Sequence, residues 1–367
     1  RRKANSRVLR SKKRKEARAS TYGHFVARAK VRRRYVDNAE PIECDADIAQ
    51  SNVTQNAFVA KNDGQKTQKT HSLLEMVGVD SQYAFKLVQW DGRTPTPIVD
   101  RKRRLVTVLA GYPDDKEWPS LVQQATGALE ERRPRCRVSP KKRIHCRGAF
   151  TALNTGVSHG SGQTQPSNLS NPGNEQVLAE LNEMESFKCI AGFSSSCMAS
   201  WTPDLYALYA EKLGKVHQTD SSLSRTFPSS IFSAATYNFG PRTTSFKHID
   251  FANLPYGWCA VTALGSFDPK KGGHLILWDL HLVVEFPPGS VVLVPSAIVA
   301  HSNTTIGVDE RRYSFVQYSA GALFRWVEND FKKSIDFYAS LSPERLLEVQ
   351  AKNKTRWELG LSLFPTL

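Results

Sequence analysis

The tripeptide His248-Ile249-Asp250 holds the side chains best suited to grip a metal ion. On an extended backbone residues i and i+2 point to the same side, so His248 and Asp250 can reach one ion from one strand. A second imidazole, His301, follows 53 residues later, just after the apolar run 290–295. Two His and one carboxylate leave open positions on an octahedral ion, which is the ligand set of a non-haem Fe(II) oxygenase. Eleven residues beyond His301 come Arg312 and, two further on, Ser314. On a strand these two share a face, and Arg311 faces the other way. A guanidinium clamps a carboxylate through parallel N–H groups, and a nearby hydroxyl adds a donor. That pair suits the distal carboxylate of an organic-acid co-substrate.

These residues need a rigid scaffold, and the surrounding stretch is patterned for one. From Phe232 onward short apolar runs alternate with Gly/Pro turns. Strands are expected over 257–264, 274–278, 282–286, 290–295 and 313–320. The turns are Asn238-Phe239-Gly240-Pro241, 268–273 and Pro287-Pro288-Gly289. Short strands at such spacing predict a sandwich or jelly roll. Upstream, 105–111 reads as a buried strand. Helices are expected over 73–78, 118–133, 177–184 and 204–213, the last started by Pro203 and stopped by Gly214. Residues 327–360 return to helix. The fold class is therefore α+β, a jelly-roll core with flanking helices. Its expected units are a basic arm (1–36), helical or mixed N-terminal decoration (37–144), the core (145–330) and C-terminal helices packed on it (331–367).

Charge is distributed unevenly. The chain of 367 residues carries a formal +15. Residues 1–34 hold fifteen Lys/Arg and one acid, a net of +14, so the remainder carries +15 − 14 = +1. The body is nearly neutral and the basicity is a tail, suited to nucleic acid or to nuclear import through 11–15. Two more basic clusters, 132–135 and 141–143, are candidate phosphate contacts or solvated surface. No apolar run approaches a membrane span, which points to a soluble protein. The chain begins with Arg1, as a trimmed chain would. Six cysteines at scattered spacings, with no CxxC, suggest a reducing compartment. Cys136, His145 and Cys146 offer a conceivable zinc set on spacing. Residues 154–174 contain almost no hydrophobic residue, and a loop of that length is expected to be functional or disordered.

Taken together, Tyr237–Pro241, His248-Ile249-Asp250, 257–264, 272–278, 287–290, 295–303 and 312–318 resemble the fungal branch of the TET/JBP family. These are Fe(II)- and 2-oxoglutarate-dependent dioxygenases of modified DNA bases, and the likeness covers about 145–330. It implies a double-stranded β-helix with iron on His248, Asp250 and His301. It implies 2-oxoglutarate held by Arg312 and Ser314, with Arg242 at its other end and Asn238 alongside, and O2 as co-substrate. It implies no structural zinc. The expected reaction oxidises the methyl group of 5-methylcytosine to 5-hydroxymethylcytosine and beyond, or demethylates N6-methyladenine, in nuclear double-stranded DNA, by a monomer. The same chemistry on RNA or protein, or a non-catalytic jelly-roll DNA-binding module, are the alternatives. A methyl inside a duplex requires base flipping. Asn253, three residues after Asp250, is the expected base contact. Tyr237, Phe246 and Trp258 are aromatics available to stack on the base. His159 and Gln163 of the long loop and Lys142 and Arg143 of the basic cluster would hold the opened duplex.

Overall fold

The computed structural model describes residues 21–62, 64, 68–160 and 162–367. The tail before residue 21, with the import patch 11–15, lies outside the described residues. The strands are β1 (Ile42–Glu43), β2 (Lys86–Val88), β3 (Thr96–Val99), β4 (Leu105–Gly111), β5 (Ile144–His145), β6 (Gly148–Ala149), β7 (Thr151–Ser158), β8 (Ser167–Asn168), β9 (Ala234–Phe239), β10 (Cys259–Ser266), β11 (Leu275–Leu277), β12 (Leu282–Val284), β13 (Val291–Val294), β14 (His301–Asn303) and β15 (Arg311–Tyr318). The helices are α1 (Ala29–Tyr35), α2 (Leu73–Met76), α3 (Trp118–Arg132), α4 (Pro140–Arg143), α5 (Glu175–Glu183), α6 (Glu185–Trp201), α7 (Pro203–Thr219), α8 (Gly321–Glu328), α9 (Ser334–Ala339) and α10 (Pro343–Leu361).

One sheet runs β1-β3-β4-β13-β10-β15-β9-β7-β8, and a smaller one runs β14-β11-β12-β2. Strands β9, β10, β13 and β15 lie in the first sheet, while β11, β12 and β14 lie in the second. The chain thus crosses repeatedly between sheets, and its apolar side chains fill the space between them. Leu275, Leu277, Leu282 and Val284 of the small sheet share one cluster with Ala260, Ala263 and Val291–Val294 of the large one. The period-2 alternation sends the intervening residues elsewhere. Tyr237, Phe239, Tyr313 and Phe315 join Leu129, Leu181, Phe187 and Ile190 of α3, α5 and α6 on the outer face. Ile276 and Val283 meet Met76 and Phe85 behind the small sheet.

Helix α3 buries Trp118, Val122, Ala125 and Leu129, a stripe at helical spacing laid on the sheet. Helix α2 begins with a capping box in which Ser72 and Glu75 exchange bonds. Residues 37–144, expected as decoration, extend both sheets through β1 to β4. Helix α7 does not stop at Gly214. It continues to Thr219 because Leu213 and Val216 are buried, which outweighs the roughly 1 kcal/mol that an internal glycine costs. The long loop is partly a hairpin: β7 runs through Ser158, and Val157 and Ser158 pair with Asn168 and Ser167.

The C-terminal helices are pinned by charge as well as packing. Glu328 of α8 lies 2.5 Å from Lys212 of α7 and also bonds Lys352 of α10. Burial raises the Glu328 carboxyl, but the bonds from Lys212 and Lys352 outweigh it and hold it at about 2. A carboxyl lowered on folding stabilises the protein above its unfolded value, and that contribution is lost as pH falls through the folded value. Glu328→Gln is expected to cost about 1–2 kcal/mol at pH 7 after allowance for solvent screening. Urea denaturation should show this deficit at pH 7 and its disappearance near pH 2. A deficit unchanged by pH would rule out the ion pairs as its source.

Candidate active site

The ligand residues come together through backbone pairing. His248 N–H donates to His301 C=O at 3.1 Å, and His301 N–H donates back to His248 C=O at 2.9 Å. The two residues are therefore direct cross-strand partners, and their rings lie 4.3 Å apart between centroids. The segment carrying His248 is not the continuous strand that the sequence suggests. It touches its neighbours at three isolated points: Arg242 with Arg312, Ser245 with Gly148, and His248 with His301. Asp250 is fixed separately, its N–H donating to Ser296 C=O at 2.8 Å.

His248 Nε2 lies 3.9 Å from Asp250 Oδ1, and His301 Nε2 lies 4.0 Å from Oδ2. One ligand atom from each residue fits within 4.8 Å of the others, and the triad is the one such His/Cys/Asp/Glu group among the described residues. Each imidazole uses its other nitrogen in the same way. His248 Nδ1 meets Phe246 C=O at 2.7 Å and His301 Nδ1 meets Val299 C=O at 2.9 Å. A carbonyl can only accept, so both Nδ1 atoms carry a proton and Nε2 is the atom each ring can offer to a metal. Burial first, then His301, pushes His248 well below the usual imidazole range, keeping it a neutral ligand. Burial would raise Asp250, but the Arg147 guanidinium beside it counters this and helps keep the carboxylate ionised. Oδ1 of Asp250 is buried without a hydrogen bond. Three converging donors, two imidazole nitrogens and a carboxylate, fit a divalent ion such as iron.

The anion pocket lies beside it. Arg312 is buried on β15, and its Nη1 donates to Thr243 C=O at 2.8 Å. Its Nε–H has no partner, and neither does Thr243 Oγ1 or His274 Nε2. His274 is fully buried and its Nδ1 meets Thr304 Oγ1 at 2.8 Å. Burial, then Arg312, takes His274 down to about 4, so it is neutral at physiological pH. Burial also lowers Arg312, to about 10, which leaves it charged. Buried polar groups without partners are costly, so three of them around one cation mark a place for an anion. A small organic carboxylate fits this set. Ser314 accepts a bond from Asn238 Nδ2 at 2.9 Å, on the same cross-strand row. Arg311 stays near the surface, bonded to Glu310 C=O. Sequence reasoning missed His274; the only signal was a His opening a strand, with no spacing to connect it to Arg312.

Several expected contacts are placed differently. Arg242 is exposed, and its buried neighbour Thr243 faces Arg312 instead. Tyr237 is core: its ring packs on Phe187 and its OH donates to Asn182. Alternation along β9 turns Asn238 towards Ser314, which forces Tyr237 to the helix side. Trp258 and Phe246 are also buried, Trp258 against Phe364. Asn253 is buried with its amide donating to Cys259 and Ser296, so it is occupied behind the triad. His159 packs against Trp326 of α8, and Gln163 bonds Ser167 within its own loop. The zinc set does not assemble: Cys136 bonds Arg132 C=O, and His145 bonds Phe150 C=O.

The basic cluster, by contrast, is brought to the site. The β5–β6 hairpin turns at Cys146 and Arg147, and Arg147 Nε lies 3.1 Å from Asp250 Oδ1. A cleft of about 790 Å³ is lined by Arg137, Lys141, Lys142 and Arg147 on one side and by Asn154 and Asn238 on the other. Arg143 sits on the same short helix, exposed, with its Nε on Val138 C=O. Sequence reasoning pointed to the cluster but not to the ion pair of Arg147 with a ligand carboxylate.

Neither a protein-family model nor a curated protein matches the chain. Among solved structures, NgTET1 in complex with 5mC DNA aligns at 14% identity and a TM-score of 0.45, over 65% of this chain and 84% of that one. An oxidoreductase of the 2OG-Fe(II) oxygenase family from Burkholderia pseudomallei aligns at 15% and 0.31, over 57% and 92%. AviO1 from Streptomyces viridochromogenes Tue57 aligns at 13% and 0.31, over 59% and 91%. The fungal branch finds no support among these neighbours.

Direct metal titration tests the triad. Mn(II) binding, followed by the loss of the free-ion electron paramagnetic resonance signal, is expected to weaken by more than about 100-fold in Asp250→Ala and His301→Ala, beyond the 10–100-fold typical of outer partners. Affinity within a few-fold of the unaltered chain in either variant would remove that residue from the ligand set.

Proposed function

We propose that the protein is an Fe(II)- and 2-oxoglutarate-dependent dioxygenase that oxidises the methyl group of a flipped base in double-stranded DNA. The observation that carries this is the pairing of three free ligand atoms, on His248, Asp250 and His301, with a separate buried guanidinium whose Nε–H is unused. A metal site alone suits many chemistries; a metal site beside an anchored carboxylate pocket suits a keto-acid co-substrate. We also read the two sheets as a double-stranded β-helix, because 234–239, 242–248 and β10 to β15 cross repeatedly between them.

Bound iron, with O2 and 2-oxoglutarate, supplies the oxidation of a C–H bond, the keto acid leaving as succinate and CO2. The chain's own residues do the rest. His248 and His301 offer Nε2 donors, and Asp250 offers the charge that selects a divalent ion. Arg312 holds the far carboxylate, with His274 and Thr243 as further donors. The cleft supports the nucleic-acid part: cations at 137–147 suit phosphates. The basic tail would add affinity without sequence preference and fits a nuclear protein. Both 5-methylcytosine and N6-methyladenine present an oxidisable methyl group.

The deciding experiment incubates the protein with Fe(II), 2-oxoglutarate and duplexes carrying either methylated base, and follows nucleosides by mass spectrometry together with succinate release. Oxidised or demethylated nucleoside is expected from at least one duplex and none from the unmethylated control. Bound iron without turnover on either duplex would overturn the proposal. In the same assay Arg312→Met should raise the half-saturating 2-oxoglutarate concentration at least tenfold, an ionic contact being worth about 1.5–3 kcal/mol, while Mn(II) affinity stays within a few-fold. If the cleft binds phosphates, Lys141→Gln with Lys142→Gln should reduce the slope of log affinity against log salt by about 1–2. An unchanged slope would move the duplex away from this cleft.

A further inference from the structure

A buried polar cluster lies beside the Asp250 carboxylate. Asn253 Nδ2 donates to Cys259 Sγ at 3.2 Å and to Ser296 Oγ at 3.3 Å. Cys259 Sγ and Ser296 Oγ are 2.8 Å apart. The Ser296 carbonyl accepts from the Asp250 N–H at 2.8 Å, which seats the Ser296 side chain beside the Asp250 carboxylate. All three side chains are buried. They come from three places: the turn after the ligand tripeptide, the first residue of β10, and the turn after β13.

Proton bookkeeping orders this cluster. An amide N–H only donates, so Ser296 Oγ accepts from Asn253, and an ionised carboxylate beside it suits the Ser296 O–H. Ser296 Oγ is then left as an acceptor, which suits the Cys259 S–H and one Asn253 N–H. The other Asn253 N–H goes to the Cys259 sulfur. In this arrangement every donor is used once.

We propose that Asn253, Cys259 and Ser296 form a positioning relay that fixes the rotation of the Asp250 carboxylate, so that Asn253 acts on the metal and not on the base. The proposal rests on the metal assignment made above. It gives Asn253 a different duty from the base contact expected at its position in the sequence. An amide with both hydrogens directed at Cys259 and Ser296 has no donor left for a substrate. Outer partners of ligating groups typically alter metal affinity by 10–100-fold.

The test measures Mn(II) affinity by paramagnetic resonance, and KM for the methylated duplex at saturating metal. Ser296→Ala is expected to weaken Mn(II) by about 10–100-fold, and Ser296→Thr, which keeps the hydroxyl, to recover most of that loss. Cys259→Ser should stay near the unaltered chain, whereas Cys259→Val, which has no donor, should not. Asn253→Ala should weaken Mn(II) several-fold with the duplex KM unchanged once metal is saturating. If Ser296→Ala does not fold, the Cys259 and Asn253 variants read the same relay from its other links. Unaltered Mn(II) affinity in Asn253→Ala together with a raised duplex KM would overturn the relay and return Asn253 to the substrate. A chain with no Mn(II) affinity before any substitution would overturn the triad itself, and the relay with it.

Discussion

Two backbone hydrogen bonds between His248 and His301 hold the site in register. They make the two imidazoles cross-strand neighbours although 53 residues separate them in the chain. Side-chain direction on an extended backbone has a period of two, so a slip of one residue would turn His301 away from the metal. The same pairing closes the small sheet against the segment that follows β9. On the other side, Arg242 pairs with Arg312 through the backbone, which sets Thr243 beside the guanidinium. The candidate metal and anion sites are thus two consequences of one segment being pinned at both ends.

That segment depends on the sheets beneath it. The large sheet has two apolar faces, one against the small sheet and one against α3, α5 and α6. Strand β15 shows how strictly the faces are sorted. Tyr313 and Phe315 go to the helices, while Arg312 and Ser314 go inward. Burying a guanidinium is tolerable only where hydrogen bonds or a ligand meet it. Arg312 has one bond from Nη1 and leaves Nε–H open, so the scaffold retains an incompletely satisfied cation where a carboxylate would complete it.

The Asp250 carboxylate is held from two sides with different chemistry. Arg147 approaches Oδ1 as an ion-pair partner from a hairpin whose cations line the cleft. Ser296 approaches from the buried interior, backed by Cys259 and Asn253. The first partner is 44% exposed and within reach of anything entering the cleft. The second is sealed.

Much of this was legible in the residues. The ligand types, the β scaffold around them, the inward choice of Arg312 over Arg311 and the segregation of basic charge all follow from local rules: side-chain chemistry, period-two alternation, and turns marked by Gly and Pro. Helix ends were less legible, since burial of Leu213 and Val216 carries α7 past Gly214. Residues 37–144 lacked a clear pattern because their strands are short and complete sheets begun elsewhere. What the sequence could not supply was partnership. Asn253 meets Cys259 and Ser296, Arg147 meets Asp250, His274 faces Arg312, and Tyr237 turns from the site into the helix-facing core. Each depends on pairing between segments far apart in the chain, and which side chains then share a buried space is decided only when the sheets close.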